Sequence, residues 1–124
     1  MAYTTIDDPS AYFQTKLYTG NGSSNALTFD GNSDMQPDWT WIKQINGTFN
    51  HFAFDSVRGV NKPIHPNLSN AQSSQSDTLM SFNSDGFTLG DDSTNGEINS
   101  SSNTFASWNW KAGTTGSGTT TGSG

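Results

Sequence analysis

A chain of 124 residues has room for one domain with one hydrophobic core, not two. Its formal charge of −6, from 5 Lys and Arg against 11 Asp and Glu, argues against nucleic acid or an anionic membrane as partner, since both are gripped by cations. Cys is absent, which excludes disulfides and thiolate metal sites, and no apolar run is long enough for membrane insertion.

Residues 1–11 carry few core-forming side chains and read as an N-terminal arm. They lack the basic and apolar regions of a signal peptide, which predicts synthesis in the cytoplasm. The glycosylation sequons at Asn21, Asn46, Asn67 and Asn99 therefore read as turn chemistry. Short alternating segments follow at 13–19, 26–29, 39–45, 49–55, 78–82, 87–89 and 104–111. Asx-Gly pairs at Asn21, Asp30, Asn46, Asp85 and Asn95 punctuate them, as in hairpins with type I′ turns. No segment repeats apolar residues at helical spacing over three turns. The pattern predicts an antiparallel β-sandwich over residues 12–113. Segment 59–76, polar and with two prolines, reads as a long loop, and residues 114–124 as a flexible Gly/Ser/Thr linker or tail.

Only 30% of residues are hydrophobic but 12% are aromatic, so the aromatics must carry much of the burial. In WTWIKQINGTFNHFAFD (39–55), a two-residue turn at Asn46-Gly47 would pair Ile45 with Thr48. Trp41 then falls opposite Phe52 and Trp39 opposite Phe54, all on one face, with Thr40, Ile42, Gln44, Phe49, His51 and Ala53 on the other. Ala106, Trp108 and Trp110 likewise share a face of the last strand, and Phe82 and Phe87 flank the Asp85-Gly86 turn. The expected core is thus Trp39, Trp41, Phe52, Phe54, Phe82, Phe87, Trp108 and Trp110. Tyr12, Tyr18 and Phe49 are left as exposed contacts for a ligand or partner. Arg58 follows Asp55 by three residues and is expected to pair with it at the end of a strand.

Catalytic chemistry finds little support. Glycoside hydrolysis needs two facing carboxylates, and Glu97 is the single Glu. No G-x-S-x-G elbow is present. No enzyme activity and no cofactor are expected. Asp91, Ser93 and Asn95 lie at calcium-loop spacing, but Ser102 stands where the twelfth-place Glu belongs. That loop and Asp30–Asn32–Asp34 read as Asx turns, with a calcium ion in one of them as the alternative.

The ordered motifs YTGNGS, PDWTWIK, NHFAFDSVRG, L-x-SFNSDGFTLG and FASWNWKAG resemble a domain found repeatedly in virion appendages of tailed phages, marine phages especially. That family is similar to SPRY and concanavalin-like jelly rolls. The resemblance spans roughly residues 10–113. It implies a jelly-roll β-sandwich in a virion structural protein: a tail-fibre or appendage subunit, or a capsid decoration subunit. Such a protein is made in the host cytoplasm, assembles into the virion with other virion proteins, and is expected to form homo-oligomers. Many members have a longer connection after WIK, which leaves a wider loop as the alternative to the tight hairpin. A carbohydrate-binding module recognising a host-surface glycan is the competing function. The direction of the aromatic rings separates the two: buried rings favour a scaffold, and open rings in a groove favour glycan binding.

Overall fold

In the computed structural model, which describes residues 7–112, the alternating segments become seven strands. These are β1 (Phe13–Thr19), β2 (Asn25–Leu27), β3 (Trp39–Gln44), β4 (Phe52–Asp55), β5 (Leu79–Asn83), β6 (Gly86–Leu89) and β7 (Thr104–Trp110). A single 3-10 turn, Pro9–Ala11, precedes β1 and is capped by the Asp8 side chain on the Ser10 N–H. The chain is all-β, with two antiparallel sheets of order β1-β7-β3-β4 and β2-β6-β5. Residues 1–6 of the expected arm and all of the expected 114–124 linker lie outside the described residues.

Both sheets feed one core. The four-stranded sheet contributes Tyr18, Ile42, Phe52, Phe54 and Phe105, and the three-stranded sheet contributes Leu27, Leu79, Phe87 and Leu89. Phe29, Met35 and Ile98 come from connecting segments, and Phe82 packs against the cluster half-buried. The inward face of the four-stranded sheet also holds a polar row, Gln14–Asn109–Thr40, in register across β1, β7 and β3. Gln14 satisfies it in part, donating to the Ser10 and Ser33 carbonyls and accepting the Gly31 N–H, while Asn109 donates to the Gln14 carbonyl.

The hairpin expected at Asn46-Gly47 does not form. β3 and β4 pair Trp41 with Ala53, Ile42 with Phe52 and Thr40 with Phe54. That is one residue away from the register a two-residue turn would give. Neither Asn46 nor Gly47 has the positive φ that a type I′ turn demands. Instead the Asn46 side chain takes the Thr104 N–H at the start of β7, and the Lys43 ammonium donates forward to the carbonyls of Gln44 and Gly47. Residues 45–51 become a wide loop, and the strand starts at Phe52 rather than at 49.

A one-residue slip turns every side chain of a strand to the other face. Phe52 and Phe54 go into the core with Ile42, and the tryptophans of β3 and β7 are turned outward. The expected placement of Trp39, Trp41, Trp108 and Trp110 in the core is therefore corrected. Trp39 and Trp41 are half-buried, and Trp108 and Trp110 remain 37% and 39% exposed. Phe105, Ser107 and Asn109 take the interior of β7 instead.

Candidate functional site

On the outer face of the four-stranded sheet, period-two alternation places residues from neighbouring strands in rows. One row is Phe13–Trp110–Trp39 and the next is Thr15–Trp108–Trp41–Ala53. A third, Leu17–Ala106–Lys43, ends the aromatic field. Phe13 and Trp110 stack with ring centroids 5.0 Å apart and tilted by 48°. Trp41 and Trp108 meet edge to face at 6.4 Å.

His51 completes the group from the wide loop before β4. The Trp41 Nε1–H donates to His51 Nδ1 at 3.0 Å, and the two rings lie 5.6 Å apart. An indole N–H only donates, so Nδ1 acts as the acceptor and the neutral imidazole carries its proton on Nε2. The backbone of His51 is pinned by the long loop. Its N–H donates to Asn67 Oδ1, and its carbonyl accepts from His65 Nδ1. His65 in turn sits edge-on against buried Phe52, centroids 4.5 Å apart. Between Trp41, His51, Trp108 and Trp110 lies an open cleft of about 220 Å³. Sequence alternation puts His51 on the face opposite the tryptophans, whereas in the structure the loop before β4 carries it to Trp41.

The remaining expected contacts separate. Tyr12 and Phe49 are exposed, at 45% and 44%. Tyr18 is not: it is 8% exposed, stacks on Phe105, and donates its hydroxyl to the Ile98 carbonyl at 2.7 Å. Burial, with the nearby Asp92 charge, holds its phenol well above the usual range. The reason is again alternation, since Gln14 and Tyr18 share the inward side of β1.

Asp55 and Arg58 do pair, through Oδ2 and Nε. The other Asp55 oxygen accepts the Arg58 backbone N–H at 2.8 Å, so the carboxylate caps a turn as well as binding the guanidinium. Burial pushes this carboxyl up, but the Arg58 N–H and guanidinium outweigh it and leave Asp55 below the ordinary value. The guanidinium also donates to the carbonyl of Lys62 and the side chain of Gln72, tying the end of β4 to the long loop.

The acidic stretch at 91–97 folds as a carboxylate-centred turn. Asp92 is 1% exposed and accepts the N–H groups of Ile98 and Asn99 at 2.7 and 3.1 Å. Burial raises its carboxyl, the two N–H groups oppose that, and the charge of Asp77 adds to it, for a net rise. Among the described residues, no three His, Asp or Glu side chains converge as a metal cage. Chemically, the cleft offers open aromatic faces and one imidazole.

Searches of the curated proteins and of the solved structures return no significant match. Over residues 8–124 the chain matches the family described as Domain of unknown function (DUF7483), and it belongs to that family.

Proposed function

We propose that this chain is a non-catalytic binding module of a phage virion appendage, and that it recognises a host-surface carbohydrate through its aromatic sheet face. The observation that carries the reading is the set of four tryptophans on β3 and β7, turned away from a core that is already filled. Indole rings left open on a sheet lose burial energy unless something covers them. Their flat faces suit the C–H faces of sugar rings. The ordered motifs from YTGNGS to FASWNWKAG support the virion assignment, and the two antiparallel sheets are consistent with a β-sandwich, of which the jelly roll implied by those motifs is one form.

Protein association is the second reading, favoured by a different feature. β1 forms one margin of the four-stranded sheet, and Leu17 on it is 71% exposed. The opposite margin, β4, is covered by a bridge from Ala53 to Ile64. An uncovered edge strand can pair with another virion protein or with a second copy. A glycan array probed with the full chain decides between the readings. Saturable binding that Trp108→Ala abolishes is expected. A blank array together with a concentration-dependent oligomer in light scattering would replace the glycan reading with association.

A further inference from the structure

We infer that the cleft between Trp41, His51, Trp108 and Trp110 holds one neutral pyranose ring, stacked on indole and hydrogen-bonded to His51. This rests on the glycan reading above and names its subsite. Size comes first: about 220 Å³ lies below the roughly 300–1,000 Å³ of sites for drug-sized ligands. One ring with its substituents fits such a space, and the further rings of a longer glycan would lie outside it. Charge comes second. The four lining residues include no carboxylate, Lys or Arg, so neither an anionic nor a cationic sugar finds a counter-charge there.

Hydrogen bonding comes third. Binding sites of this kind pair an apolar surface with a few fixed polar groups that set orientation. The Trp41 indole N–H is consumed by His51 Nδ1. That bond fixes the tautomer and leaves Nε2–H as the donor of the ring. Asn67 and His65 pin the His51 backbone and the Trp41 N–H holds its ring, so the imidazole meets a ligand already oriented. A sugar hydroxyl accepts from Nε2–H while the axial C–H groups of the same ring lie against Trp108. Because one ring makes all of these contacts, a single site is weak, and useful affinity comes from many copies engaging a repetitive surface.

The test uses the full chain and two probes. Methyl glycosides of glucose, galactose and mannose are titrated while the indole N–H signals are followed by NMR. The same protein is then applied to a glycan array. A saturable shift of the Trp41, Trp108 and Trp110 indole signals by at least one neutral glycoside is expected. Trp108→Ala should weaken that binding by about tenfold or more, and His51→Phe, which keeps a ring but loses the donor, by about tenfold. Both variants should retain the wild-type NMR dispersion. Array binding that survives both substitutions would overturn the cleft and leave the glycan reading standing. Preference for sialylated or sulfated glycans would overturn its neutrality. An array and a titration that are both blank would overturn the glycan reading itself.

Discussion

At Phe52 and Trp108, two large aromatics one strand apart from a shared neighbour, burial differs completely. Phe52 is fully enclosed between the sheets, whereas Trp108 is 37% exposed on the outer face. Phe52→Ala should cost about 3–5 kcal/mol, as large-to-small core changes do. Trp108→Ala should cost less than half as much in the same urea titration, because its ring has neighbours on one side only; equal costs would show that the outer face is part of the core. Asp92 poses a different question. Its carboxyl is raised, so it favours folding below the ordinary carboxyl value of 3.8 and loses that contribution as pH rises through the raised value. Asp55 and Asp77 are lowered and act in the opposite sense, stabilising above 3.8 and failing as pH falls through their lowered values. Asp92→Asn keeps an oxygen for the Ile98 and Asn99 N–H groups and removes the charge. The melting temperature of Asp92→Asn relative to wild type should therefore climb between pH 3.8 and neutrality. A constant difference across that range would show that Asp92 is not protonated preferentially in the fold.

Elements carry their own logic, and here the sequence was legible unevenly. All seven strands lie at or close to segments that alternation marks out, and the loop at 59–76 stays a loop apart from the bridge at Ile64. The Asx-Gly pairs were less reliable guides to pairing. Asp85-Gly86 does mark the β5–β6 hairpin, but Ser84 and Asp85 form its loop and Gly86 is already paired with Asn83. At Asn46-Gly47 a distant partner, the start of β7, claims the asparagine side chain. Local turn preference loses to that contact, and the register moves by one residue. The slip puts Trp39 and Trp41 on the face away from Phe52 and Phe54, and Trp108 and Trp110 share that outer face because they lie opposite Trp41 and Trp39 in the β3–β7 ladder. The polar interior row of Gln14, Thr40 and Asn109 was also hidden, because its partners lie far along the chain. Gly86 gives an element-scale test. Its φ is +104°, and a Cβ there would run into the Leu27 carbonyl oxygen of the neighbouring strand. Gly86→Ala should cost more than about 1 kcal/mol from the backbone alone, with the β2–β6 clash added. Loss of cooperative unfolding by circular dichroism is the expected result, and a wild-type melt would show that β2 can move aside.

The whole molecule shows a division of labour between its two sheets. The three-stranded sheet closes the core, while the four-stranded sheet both closes it and displays the tryptophans. β7 lies centrally in that display, pairing with β1 on one side and β3 on the other. It also brings the two ends of the described chain together, since Phe13 lies opposite Trp110 and the Lys111 N–H donates to the Tyr12 carbonyl at 2.8 Å. Tension applied to both ends would load that ladder at one rung. Bonds would then break one after another along β1 and β7, as in a zipper, instead of all resisting together in shear. The first rungs to part carry Phe13, Trp110, Thr15 and Trp108, which belong to the aromatic face. A domain wired this way bears little load through its own termini, and pulling on them would dismantle the aromatic face before the core gave way.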